Sequence, residues 1–210
     1  MKHVILLGDS IFDNAAYVRG GPDVINQLQG QLSDEWRATL LAVDGSVVED
    51  VHRQLQRLPA DASHLVISAG GNDAINHADI LTARANGFAE ALNRLADVSD
   101  SFERRYEEML RAATSLGLPV AVSTIYYPRF PDAQLQRIAV AALSIFNDVI
   151  IRRAFMAGVP LLDLRLICNQ AEDYANEIEP SVRGGEKITD VIVALLSTHD
   201  FNRRRTEVFI

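Results

Sequence analysis

Five short apolar runs set far apart organise this chain: His3–Leu7, Thr39–Val43, His64–Ser68, Pro119–Ser123 and Val159–Leu164, each closed by small or polar residues. Runs this brief and this uniformly apolar suit strands buried on both faces. The stretches Asp23–Leu32, Val47–Leu58, Phe102–Leu116, Gln134–Met156 and Gly185–Leu196 carry apolar residues at helical spacing. Alternating strand and helix requires crossover connections, so the pattern predicts an α/β fold with a five-stranded parallel sheet between two layers of helices, a three-layer α/β/α sandwich. Gly117-Leu118-Pro119 and Gly158-Val159-Pro160 each put a glycine just past a helix and a proline before a strand, which marks two of the boundaries.

These elements occupy residues 1–197 as a single domain, and the polar, basic tail 198–210 reads as a frayed terminus. Arg84–Phe102 has a helical composition interrupted by Gly87 and by Asp97–Ser101, and is expected as two helices with a break. With 28 acidic against 20 basic side chains the net charge is −8, which argues against nucleic acid or an anionic membrane as a partner. The apolar run Val4–Leu7 is too short for a signal peptide or a membrane span, so the chain reads as cytoplasmic. The lone Cys168 has no disulfide partner and is expected as a buried thiol; nothing has metal-ligand spacing, and no cofactor is expected.

In an open parallel sheet, ligands bind beyond the carboxyl ends of the strands. There the chain has Gly8-Asp9-Ser10 after the first strand, Asp44-Gly45-Ser46 after the second and Gly70-Gly71-Asn72-Asp73 after the third. A serine on a tight strand-to-helix turn can present its hydroxyl as a nucleophile. Around it, the Ser10 and Gly45 amides and the Asn72 carboxamide can surround an oxygen that becomes negative. Each cluster alone is ordinary turn chemistry; three at adjacent strand ends point to a site.

Gly-Asp-Ser, then Gly, then Gly-x-Asn-Asp, in this order, resembles the block motifs of the SGNH or GDSL hydrolase superfamily over essentially the whole chain. The resemblance implies a flavodoxin-like strand order 2-1-3-4-5 and a serine esterase acting through an acyl-enzyme. Ser10 would be the nucleophile, Gly45 and Asn72 oxyanion donors beside the Ser10 amide, and Asp9 an organiser of the nucleophile loop. The family's fourth block, Asp-x-x-His, is where the pattern breaks: here the acid position holds Asn176 and the base position Glu179.

His3 and His64 fall at the amino ends of strands, His52 lies within a helix and His199 follows the last helix, so His77 is the histidine at the correct end of the sheet. Glu179 either accepts the serine proton, its basicity raised by burial or by an anionic neighbour such as Asp9, or serves as a helix cap or as a partner for Arg183 or Lys187. Asp73, His77, Tyr126, Tyr127 and Asn176 are candidate substrate contacts. Tyr126 and Tyr127 either wall a pocket or pack on the core, Asp13 and Asn14 are candidate caps for the first helix, and Glu172 and Asp173 lie near the loop without metal-ligand spacing. The partner expected is a small-molecule ester, small and soluble by default because no lid or long insertion is evident. The alternative is a binding protein that keeps the pocket and has lost the chemistry.

Overall fold

The computed structural model describes residues 1–210. β1 (Lys2–Gly8) lies inside the sheet, pairing in parallel with β2 (Trp36–Leu40) and β3 (His64–Ser68). β4 (Val120–Ser123), β5 (Leu161–Leu162) and β6 (Val208–Phe209) extend the sheet to six parallel strands in the order β2-β1-β3-β4-β5-β6. Side chains alternate faces along a strand. Ile5 and Leu7 therefore enter one apolar layer while Val4 and Leu6 enter the other, all four fully buried. Helices α1 (Val24–Gln31) and α7 (Val182–Thr198) cover the Val4 face. The Ile5 face is covered by α2 (Val51–Leu55), α4 (Phe88–Ser115) and α5 (Ala133–Ala157). Short helices α3 (Gly71–Ile75) and α6 (Leu164–Ile167) follow β3 and β5. No helix is long and apolar enough to cross a membrane.

The α/β sandwich agrees with the sequence reading, with four corrections. The tail is not frayed throughout: Leu161 N donates to Glu207 O and Asp163 N to Phe209 O, both at 2.9 Å, which adds β6 as a sixth strand. Its anchors are His199, whose Nδ1 meets Glu207 Oε2 at 2.9 Å, and the edge-on packing of His199 against Phe201 and Phe209. β2 begins three residues earlier than the apolar run Thr39–Val43, because as an edge strand it exposes one face and tolerates Arg37. Its ladder ends where Leu41 and Ala42 both donate to the single Leu6 carbonyl.

The expected break in Arg84–Phe102 is absent after Gly87. Leu95, Val98, Phe102, Tyr106, Met109 and Ala113 carry one apolar stripe straight through Asp97–Ser101, and this periodicity outweighs the modest helix propensity of Asp and Ser. The helix expected over Val47–Leu58 contracts to a 3₁₀ turn leading into α2. Pro59 follows, and a proline disfavours the helical conformation in the residue before it.

Candidate active site

The loops after β1, β2 and β3 meet above the sheet, and two of them depend on glycine. Gly8 has φ +117°, and a Cβ there would lie 1.6 Å from the Ser68 carbonyl oxygen, so only glycine lets β1 turn so close to β3. Gly45, at φ +80°, turns the chain after β2 so that its own amide is left without a protein acceptor. The buried side chain of Gln54 on α2 brackets Gly8, accepting from its N–H at 2.7 Å and donating to its carbonyl at 2.9 Å. Asn147 on α5 does the same for Ile125 after β4, with both hydrogen bonds at 2.8 Å. Two strand exits are thus fixed by amide side chains that satisfy otherwise stranded backbone groups.

Ser10 follows Gly8-Asp9 and is nearly buried. Its hydroxyl donates to Glu179 Oε1 at 3.1 Å across 169 residues of sequence, while its amide has no protein acceptor. Glu179 is carried by a compact loop: Asn176 Oδ1 accepts the Ile178 and Glu179 amides, both at 2.9 Å, and Tyr126 Oη donates to the Ile178 carbonyl at 2.5 Å. Asn14 ties the same loop to the start of α1, donating to Pro180 O at 3.2 Å and accepting Val24 N–H at 2.9 Å. Burial pushes the Glu179 carboxyl up to about 7, reinforced by the Asp44 charge and opposed by the Ser10 hydroxyl. Glu179 Oε2 is buried and has no hydrogen-bond partner. One oxygen is therefore held on the serine, and the carboxylate as a whole is under-solvated and basic.

Asn72 sits on α3 and donates one amide hydrogen to the Ser46 carbonyl at 3.0 Å. A carboxamide nitrogen has two hydrogens. The bond to Ser46 fixes the group against the Gly45 turn and leaves the second hydrogen available. Ser10 and Asn72 line one cavity together with Glu179, whereas Gly45 lines a separate polar pocket with Asp44, Ser46 and Arg53 and reaches the Ser10 side only through the Asn72–Ser46 hydrogen bond.

A model of the GDSL-like lipase/acylhydrolase family matches residues 6–187, which includes all of these loops. The chain belongs to that family. No curated protein matches the sequence closely enough to count as a relative. Among solved structures, the chain resembles an extracellular lipase from Streptomyces rimosus at 18% identity and TM-score 0.65, covering 94% of this chain and 100% of that one. A lipase from a goat rumen metagenome gives 17% identity and TM-score 0.70, with 92% and 97% covered. An acetyl xylan esterase from Geobacillus stearothermophilus gives 14% identity and TM-score 0.61, with 95% and 96% covered. At these identities the likeness establishes the fold.

Within this GDSL-family site the remaining candidates separate. Tyr126 lines the cavity beside Ser10, and His77 lines it as well but makes no hydrogen bond to Ser10 or Glu179. Asp73 turns away from the crevice. It is buried, accepts Val48 N–H at 2.9 Å and faces Arg105 at 3.6 Å, so it braces the loop after β2 and is not placed as a substrate contact. Tyr127 lies outside the cavity lining, its carbonyl accepting from Tyr174 Oη at 2.8 Å. Asn176 likewise shapes the loop through its carbonyl oxygen and does not line the cavity.

Glu179 caps no helix and pairs with no cation. Ser181 is the cap of α7, and Lys187 pairs with Asp173 at 2.7 Å. Asp23 is the N-cap residue of α1, and Asn14 supplements it from outside the helix by accepting the N–H of Val24, the first helical residue, at 2.9 Å; Asp13 does not cap the helix and instead accepts the Asp44 amide at 2.9 Å. Cys168 is buried, which pushes its thiol up to about 12. Gln54 and Asn147 were not singled out from sequence. Gln54 left one signal, its position three residues after the buried Val51 on the same helix face.

Asp9 accepts Ile11 N–H at 3.2 Å and Ser68 Oγ–H at 3.3 Å, yet burial pushes its carboxyl up to about 7, with the charges of Glu179 and Asp73 adding to the effect. The unfolded chain releases this proton near the ordinary value of about 4, so the folded state loses stability as pH rises between there and about 7. Asp9→Asn keeps an acceptor and removes the charge. It is expected to stabilise the protein at pH 8 by on the order of 2 kcal/mol, a rise of several degrees in Tm, with the gain vanishing by about pH 4. Thermal melts of both proteins across that range check this; a pH-independent difference would contradict it.

Proposed function

We propose that the protein is a serine ester hydrolase in which Glu179 takes the place of the family's histidine. The observation that carries this reading is the hydrogen bond from Ser10 Oγ to a buried, half-satisfied carboxylate in a cavity that Asn72 also lines. Glu179, with its pKa near 7, is matched to proton transfer at neutral pH. Ser10 Oγ bonds to the ester carbonyl carbon as its proton passes to Glu179 Oε1, and the carbonyl oxygen takes up the electron pair. The Ser10 amide, the Gly45 amide and Asn72 Nδ2 hold that oxygen as it becomes negative. Collapse breaks the bond to the alcohol, which leaves with the proton held by Glu179. Water then attacks the acyl-serine, Glu179 takes its proton, and the acid departs as Ser10 is restored.

The test is intact-mass analysis and peptide mapping after treatment with a small fluorophosphonate, which needs no knowledge of the substrate. Stoichiometric labelling at Ser10 is expected in the native protein, none in Ser10→Ala, strongly slowed labelling in Glu179→Gln and unimpaired labelling in His77→Ala. No labelling of the folded native protein from neutral to mildly alkaline pH would overturn the reading in favour of a binding protein.

A further inference from the structure

Two consecutive residues of α3 grip the loop after β2 at two points. Asn72 Nδ2 donates to the Ser46 carbonyl at 3.0 Å, and Asp73 Oδ2 accepts the Val48 N–H at 2.9 Å. Val47, between those points, is extended, with φ −98° and ψ 172°. Extended chain cannot lengthen to absorb a displacement, so a shift at Val48 is passed on to the Ser46 carbonyl. Val48 is itself fully buried, in the core layer that contains Phe102, Tyr106 and Met109 of α4. α4 therefore bears on this loop through packing, and it does so a second time through a charge.

The charge is Arg105. Its Nη2 lies 3.6 Å from Asp73 Oδ1, too far for a hydrogen bond but within reach of an ion pair, and its Nε and Nη2 are buried without a hydrogen-bond partner. Stranding guanidinium nitrogens in this way costs stability that an apolar side chain of similar length would keep. What Arg105 supplies is a cation facing Asp73, whose side chain is 2% exposed. Burial pushes the Asp73 carboxyl above the usual range, reinforced by Glu49 and opposed by the Val48 N–H and by Arg105. Asp9, after β1, is a further negative neighbour. Without Arg105 the bond from Val48 would lose its charge-assisted character and the hold on the loop would loosen.

We infer that Asp73 and Arg105 are a positioning pair for Asn72: Arg105 sustains the Asp73 carboxylate, Asp73 fixes Val48, and the fixed loop presents the Ser46 carbonyl that orients the Asn72 carboxamide. Both residues lie outside the lining of the cavity at Ser10, so they act through Asn72 and not on the substrate. The kinetic consequence rests on the hydrolase reading; the placement of Asn72 does not.

Two measurements test it. In the first, kcat, KM and thermal melts are compared for Arg105→Met, Arg105→Lys, Asp73→Asn and the exposed neighbour Arg104→Met, with 4-nitrophenyl acetate as substrate. Arg105→Met and Asp73→Asn are each expected to lower kcat about tenfold at unchanged KM. Arg105→Lys keeps the charge and should retain most of the activity, and Arg104→Met should retain all of it. Added to Asn72→Ala, Arg105→Met should cost no further kcat, because the group it positions is already gone. In the second, hydrogen exchange at the Asn72 side-chain amide is followed by NMR of nitrogen-labelled protein, its signals assigned by their absence from Asn72→Ala. Exchange is expected to be slow in the native protein and in Arg105→Lys, and fast in Arg105→Met and Asp73→Asn. Losses of kcat that multiply with Asn72→Ala, or exchange unchanged in Arg105→Met and Asp73→Asn, overturn the positioning pair and leave the hydrolase reading standing. Faster exchange in those variants, in a folded protein that hydrolyses no ester, overturns the hydrolase reading and leaves the pair standing.

Discussion

Glu179→Gln is expected to lower kcat/KM for ester hydrolysis by on the order of 10³, within the range that a positioned general base supplies. The substitution preserves shape and can still accept a hydrogen bond from Ser10 Oγ, so what it removes is proton affinity. The pH dependence distinguishes this from a loss of packing. In the native protein the rate must rise as Glu179 ionises, along a limb centred near its pKa of about 7, and level off above it. In the Gln variant that limb should be absent. Asp9 is raised to a similar value by its burial and is the obvious confounder, which makes Asp9→Asn the control: a limb that survives in Asp9→Asn and disappears in Glu179→Gln belongs to Glu179. Glu179→Asp, which draws the carboxylate back by one methylene, should retain more activity than Gln because the base is misplaced but present. Undiminished turnover in Glu179→Gln would remove the carboxylate from the chemistry.

How much of this was visible in the sequence follows from what each feature rests on. β1, β3 and β4 were legible because burial on both faces leaves an unbroken apolar run. β6 was not, since two residues at a sheet edge carry no pattern, and their place is set by His199 and Phe201 packing behind them. α4 reads as two helices in sequence because Asp97–Ser101 looks polar when propensity is weighed ahead of the stripe through Leu95, Val98 and Phe102. At the site, Ser10, Gly45 and Asn72 stood out because three clusters of small and polar residues close three adjacent strands, although each alone is ordinary turn chemistry.

The Ser10–Glu179 contact was visible only as one of two options, because residues 169 apart in sequence have no distance until the sheet is ordered. Gln54 and Asn147 were hidden because their partners are backbone groups, which every residue has. The cavity beside Ser10 was hidden for a related reason. A stripe such as Leu135, Ala139, Ala142 and Phe146 has the same spacing whether it meets protein or lines an open cavity, and only the folded chain tells the two apart.

Asn72→Ala is the other large effect expected, a loss on the order of 10²–10³ in kcat, as for removal of an oxyanion donor. The donor set makes the effect specific. In the proposed mechanism the Ser10 and Gly45 amides would still meet the ground-state carbonyl, so KM should change little, and the deficit should appear where the oxygen becomes negative. Asn72 also holds the Ser46 carbonyl at 3.0 Å, so a structural role in fixing the Gly45 turn must be separated from a chemical one. Asn72→Asp does so, since it keeps the size of the side chain but replaces the donor with acceptors and adds negative charge facing the developing oxyanion. If Asn72 stabilises charge, Asp should be at least as damaging as Ala and should worsen as pH rises and the new carboxyl ionises. If Asn72 only braces the turn, both variants should lose stability together with activity, and fluorophosphonate labelling of Ser10 should fall in proportion to the unfolded fraction. Equal kcat in the native and Asn72→Ala proteins would take Asn72 out of the oxyanion hole and leave the two amides as its only donors.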